Sequence, residues 1–133
     1  MSAFVDTNII VRHLTGEPPE IAKRATAYLA AEPELFLTDL NVAETIYVLE
    51  SFYKTPRELI ASAMRSLIAL RSVITVDPAL LLRSLEVYEF DRIDFAEAYL
   101  LACAESSGVN RVASFDRSID RVGTIERVEP RGT

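Results

Sequence analysis

Acidic residues recur in this chain where short apolar runs stop. Asp6 closes Ala3-Phe4-Val5-Asp6-Thr7-Asn8. Glu44 lies in Thr38-Asp39-Leu40-Asn41-Val42-Ala43-Glu44, after the run Leu35-Phe36-Leu37. Asp94 and Glu97 open the helical stretch from Asp94 to Ala102, and Asp116 follows Arg111-Val112-Ala113-Ser114-Phe115. In an open parallel sheet, residues just past the carboxyl ends of the strands share one crevice. Carboxylates gathered in such a crevice repel one another and call for a divalent cation. The chemistry in view is therefore oxygen ligation of a hard metal ion.

Each acid also has a purely structural reading. Asp, Thr and Asn favour turns and local backbone bonds, so Asp6-Thr7-Asn8 could simply shape a loop. The functional reading gains weight because the Asp6 strand is expected to be central and buried, where a charged side chain needs partners; Thr7 and Asn8 are then placed to orient the Asp6 carboxylate. Glu44 could serve a helix dipole, yet it sits within Val42, Ala43, Ile46, Tyr47, Val48 and Leu49. Asp94 and Glu97, three residues apart, share a helix face and resemble a capping box with Asp in place of Ser or Thr. Asp116 could cap the turn that follows; Asp120, one turn later, lies farther from a strand end.

Other chemistries are poorly supplied. His13 is the sole histidine and Cys103 the sole cysteine, so a zinc site of His and Cys ligands is excluded by count. No Gly-x-Ser-x-Gly elbow and no glycine-rich phosphate loop occurs. Cys103 falls mid-helix among apolar neighbours and reads as a buried, inert residue. Mg²⁺ or Mn²⁺, held by a few carboxylates while retaining waters, fits what remains. The formal net charge of −6 argues against broad electrostatic attraction to nucleic acid, although metal-binding acids count as negative when metal-free. Arginine dominates the basic residues, with Lys23 and Lys54 the only lysines; arginine suits bidentate phosphate contacts.

The elements that must position these acids alternate between strand and helix. Strands are expected at Ala3–Val5, Leu35–Leu37, Val73–Val76, Val112–Ser114 and about Thr124–Val128. Helical periodicity covers Pro19 to about Ala31, Thr38 or Asp39 to about Tyr53, Pro56 to about Leu70, Pro78 to about Phe90, and Asp94 to Ser107, where Gly108 can supply a left-handed cap. A short helix or turn follows Asp116. This alternation predicts an α/β fold with a parallel sheet. The two helices between Asp39 and Leu70, with no strand between them, predict a helical hairpin. A length of 133 residues suits one domain, 1–133. No stretch approaches a membrane span and no secretory signal is apparent, so a reducing, cytoplasmic setting is the natural expectation.

Taken together, Phe4-Val5-Asp6-Thr7-Asn8, Val42-Ala43-Glu44, Asp94-Phe95-Ala96-Glu97-Ala98 and Ala113-Ser114-Phe115-Asp116 resemble, in that order, the PIN-domain family, and within it the small VapC-like toxins of toxin–antitoxin pairs. The resemblance implies a three-layer domain with a central parallel sheet of four or five strands flanked by helices. It also implies an Mg²⁺- or Mn²⁺-dependent ribonuclease. Carried over residue by residue, Asp6 is the first acid, Glu44 the second and Asp116 the fourth. The third falls on Glu97, where the family usually has Asp before Ala, and Asp94 can share its task. Metal would be held by Asp6, Glu97, Asp94 and Asp116, with Thr7, Asn8 and Ser114 around it. A cognate VapB-like antitoxin, an RNA substrate and a homodimer are the implied partners.

Two other readings compete. A phospho-accepting domain also places Asp at strand ends, but the phosphatase pattern wants a second Asp where Asn8 stands, and no lysine follows Lys54. A non-catalytic PIN-like interaction module is the other. Finally, Val42–Tyr53 is apolar on more than one face: Val42, Ile46, Leu49 and Tyr53 form one stripe, flanked by Ala43, Tyr47 and Val48. One face should pack on the sheet. The rest should line a groove open to a helix from another chain, or close on the dimer mate or the protein's own core.

Overall fold

The computed structural model describes residues 1–132, which form two compact units, Met1–Pro78 and a second beginning at Ala79. The first unit runs β1 (Ala3–Phe4), α1 (Thr7–Thr15), α2 (Pro19–Ala31), β2 (Leu35–Phe36), α3 (Asp39–Ser51), α4 (Arg57–Ile68) and β3 (Val73–Ile74). The second contains α5 (Pro78–Phe90), α6 (Phe95–Ser107), β4 (Arg111–Ala113), a 3₁₀ turn (Arg117–Arg121) and β5 (Glu126–Val128). No helix among the described residues is long and apolar enough to cross a membrane.

The α/β class and the parallel pairing hold. In the first unit the strand order is β1-β2-β3, all parallel, with Ala3 opposite Leu35 and Leu35 opposite Val73. In the second unit β4 and β5 pair in parallel, Val112 opposite Arg127. The five strands are thus shared between two sheets, and each is only two or three residues long. Within the three-stranded sheet β1 is an outer strand, not the central one that the sequence suggested. Register puts Phe4 opposite Phe36, and their rings meet at 5.2 Å between centroids, a cross-strand aromatic pair.

Helix limits follow local chemistry. Gly16 ends α1 and Gly108 ends α6, each at positive φ (72° and 80°), a conformation that costs glycine nothing. Pro19 opens α2, and Pro56 stands immediately before α4. Thr38 caps α3, its hydroxyl accepting from the Asn41 N–H at 3.1 Å.

The buried side chains of the first unit include Ile10, Leu35, Val42, Ile46, Ile60, Met64 and Leu67. On α3, Val42, Ile46 and Leu49 recur at helical spacing and are all buried, while Tyr47 is 63 % exposed. The hairpin helices therefore present one apolar face inward and leave the other free. In the second unit Leu81, Leu85, Tyr88, Ile93, Leu101 and Ile119 are buried, and Tyr88 meets Phe95 edge-on at 6.1 Å. A bidentate ion pair ties α5 to α6: Arg83 Nε and Nη2 donate to the two oxygens of Glu105 at 2.8 and 2.9 Å. Thr124 donates to Glu105 as well, and Glu86 also accepts from Arg83. Arg83 holds the Glu105 carboxyl below its ordinary range.

Candidate functional site

Asp6 sits at the N-cap position of α1 with extended backbone, directly after β1. Its side chain makes no cap hydrogen bond, so the loop-forming explanation for its carboxylate fails locally. Asp6 is exposed. Beside it Thr7 is only 7 % exposed, and its hydroxyl is buried with no hydrogen-bond partner among the described residues. A buried hydroxyl without a partner costs free energy, so it is poised for a water or a bound group.

A tertiary strut comes from a residue that no local signal singles out. Asn41, in the first turn of α3, donates from Nδ2 to the backbone oxygen of Val5 at 2.6 Å. This bond pins the chain immediately before Asp6 to the helix that carries Glu44. Only a tertiary contact identifies Asn41, because nothing local marks it apart from other first-turn polar residues.

Glu44 lies one turn into α3 and is exposed, like Asp6. Glu44 is therefore open enough to serve the helix dipole as well. What distinguishes it is its company. Asp6, Thr7, Asn8 and Arg12 on one side, and Glu44, Tyr47 and Val48 on the other, line a groove of about 600 Å³ that Phe52 and Tyr53 continue. Residues 8, 11 and 12 share one face of α1, and 44, 47 and 48 share one face of α3, the spacing that aligns side chains along a helix. Tyr53 borders this groove and is half-buried, so it leaves the core stripe made by Val42, Ile46 and Leu49.

In the second unit Asp94 is the N-cap of α6 and also makes no side-chain cap bond. The capping-box reading of Asp94 and Glu97 is thereby corrected: with an Asp at the cap the local sequence permits the box, but Glu97 instead interacts with Asp116. Glu97 is held above the ordinary glutamate range, first by burial, then by a hydrogen bond and charge repulsion from Asp116, and by the charge of Asp94. Asp116 does cap: its Oδ1 accepts from the Ser118 N–H at 2.9 Å, and the Asp116 N–H donates to Ser114 Oγ at 3.0 Å. The Ser118 bonds, followed by Glu97, hold Asp116 below the ordinary aspartate range. The two carboxyls shift in opposite directions because they face each other. Asp120 is engaged elsewhere, by Arg127 at 3.1 Å; Arg127 also donates to the Ser114 backbone oxygen at 3.1 Å and so anchors the segment that carries Ser114 and Asp116.

The first unit thus groups Asp6, Thr7, Asn8 and Glu44, and the second groups Asp94, Glu97, Ser114 and Asp116. Among the described residues no set of three or more His, Cys, Asp or Glu side chains has the spacing of a ready-made metal site. The donor chemistry nonetheless fits a hard cation: Asp6 and Asp94 are not consumed by capping, and Glu97 is pushed up in part by charge repulsion that a divalent ion relieves. His13 takes no part in this chemistry; its Nδ1 lies 2.8 Å from Thr26 Oγ1, and burial pushes its pKa down.

The Glu97 shift has a measurable consequence. The folded state holds this proton more tightly than the unfolded chain, so the stability it contributes is full below the unfolded value and is lost as pH rises through the folded value. In EDTA, urea unfolding of Glu97→Gln between about pH 4 and 8 is expected to fall less steeply with rising pH than that of the parent. Parallel profiles for the two proteins would show that Glu97 carries no such strain.

The PIN-domain family model matches residues 3–125, nearly the whole chain. The chain belongs to the PIN-domain family. Among solved structures it is similar to VapC20 of Mycobacterium tuberculosis, described as a toxin that cleaves the sarcin–ricin loop. The two are 21 % identical over 86 % of this chain and 89 % of that one, with a TM-score of 0.41. No curated protein matches the chain.

Proposed function

We propose that this PIN-domain protein is a metal-dependent endoribonuclease, acting as the toxin of a toxin–antitoxin pair, and that residues 1–133 work as a single PIN-like domain. The observation that carries the reading is the family match across residues 3–125, which includes every strand-end acid from Asp6 to Asp116. RNA as substrate follows from the VapC-like resemblance of the four motifs.

Asp6, Asp94, Glu97 and Asp116 are the proposed metal donors, with Glu44 as the fifth catalytic carboxylate. Bound Mg²⁺ or Mn²⁺ supplies Lewis acidity, lowering the pKa of water and offsetting charge that builds on a phosphate. The protein's own residues then do the positioning. Glu44 orients the attacking water or accepts its proton. Thr7, with a buried and unpartnered hydroxyl, offers a hydrogen bond beside Asp6. Ser114 fixes the Asp116 backbone, and Asn8 borders the Asp6 carboxylate. A cognate VapB-like antitoxin is the proposed inhibitor, a homodimer the proposed assembly and the cytoplasm the proposed setting.

The deciding experiment incubates the purified chain with a structured RNA and with single-stranded RNA. Cleavage should require Mg²⁺ or Mn²⁺, stop in EDTA and return on adding metal. Sedimentation at tens of micromolar should show a dimer. Cleavage that persists in EDTA would remove the metal-dependent mechanism, and no cleavage with either ion would leave a PIN-like interaction module.

A further inference from the structure

We propose that the α1–α3 groove is a nucleotide subsite, in which Arg12 takes a backbone phosphate and Tyr47 stacks a base of single-stranded RNA flanking the scissile bond. The inference rests on the ribonuclease reading and deepens it. Three features of the first unit carry it. Asp6 and Glu44 line the groove, so a strand cleaved beside them passes next to its other lining residues. Its far side is aromatic: Tyr47 and Phe52 are 63 % and 75 % exposed, and Tyr53 borders them. Large exposed aromatic faces beside a groove are what a protein needs to bind single strands, because every base offers a π-face.

The third feature is Arg12. In a chain with net charge −6, an arginine would be expected to find a carboxylate. Arg12 forms no ion pair among the described residues; its one side-chain bond goes from Nη1 to the Glu17 backbone oxygen at 3.3 Å. Most of its N–H donors thus stay available in the groove wall, less than two turns of α1 beyond Asp6, about 9 Å along the axis. A planar, unpaired guanidinium matches a phosphate. An amphipathic protein helix would use the aromatic wall but gives no account of a cation without a carboxylate partner in the same groove. Charge complementarity therefore favours RNA as the occupant.

The test uses a fluorescein-labelled single-stranded RNA decamer and the full chain carrying Asp6→Asn, so that the probe stays intact in Mg²⁺. Adding Tyr47→Ala should weaken binding about tenfold, equivalent to about 1.4 kcal/mol, and Tyr47→Phe should restore it. Adding Arg12→Ala should lower the slope of log affinity against log salt by about 0.7, one single-strand phosphate contact. In the chain with Asp6 intact, Tyr47→Ala should raise KM with kcat preserved. If the parent cleaves RNA while these variants match it in affinity, salt slope and KM, the subsite is overturned and the ribonuclease reading stands. Unchanged RNA binding together with lost binding of a helical protein partner would assign the groove to protein and likewise overturn it. A parent that neither binds nor cleaves RNA overturns both.

Discussion

Asp6→Asn is expected to lower metal-dependent RNA cleavage by more than about a hundredfold while leaving the fold intact. The bound comes from outer-shell groups: removing a residue that merely orients a metal ligand costs about 10- to 100-fold, and Asp6 is proposed as a ligand itself. Stability should change by less than about 0.5 kcal/mol, because the side chain is exposed and makes no cap bond. Asparagine keeps the shape and the N-cap preference of the position, so any loss reports on charge. Single-turnover cleavage in Mn²⁺, with circular dichroism and urea unfolding on the same preparation, measures both halves. Full activity in the variant would defeat the assignment of Asp6. Lost activity with a lost unfolding transition would mean that the carboxylate holds the fold.

Ile46→Ala should do the opposite, costing about 2–5 kcal/mol of stability through a residue that touches no proposed chemistry. Ile46 is 1 % exposed and shares the inward face of α3 with Val42 and Leu49. Against a typical total of about 5–15 kcal/mol, such a loss moves the urea midpoint far enough to be unmistakable. Its neighbour provides the control. Tyr47→Ala, one residue on but 63 % exposed, should leave the midpoint nearly unchanged. If the two variants unfold alike, α3 does not divide into a core face and a groove face.

That division shows where sequence reasoning succeeds and where it stops. Most of the element order was legible because its signals are local; α1 was not, since Ile9 to Leu14 reads only as a continued apolar run and its helix shows only in the structure. Helical periodicity placed α2 and α5 at their observed ends, and glycine at Gly108 stops α6 because only the absent Cβ makes its positive φ inexpensive. Asp6 and Asp116, each just past a strand, were legible for the same reason, since a strand end is written in a few consecutive residues. The strand lengths and the outer position of β1 were not, because hydrogen-bonded partners lie tens of residues away.

The sequence by itself therefore determined the α/β class, the parallel pairing and the set of acids worth testing. Only the tertiary structure decided which of those acids are free. Asp94 followed by Glu97 reads as a capping box, yet Asp94 makes no cap bond and Glu97 turns to Asp116, while Asp116 itself caps the 3₁₀ turn. Asp116 and Asp120 read alike until Arg127 is seen to claim Asp120. Arg12 and Tyr47 carry no shared motif, and Asn41 none with Val5. Arg12 and Tyr47 line one groove because α1 and α3 pack side by side, and the Asn41–Val5 bond joins residues 36 positions apart, which leaves no local periodicity to read.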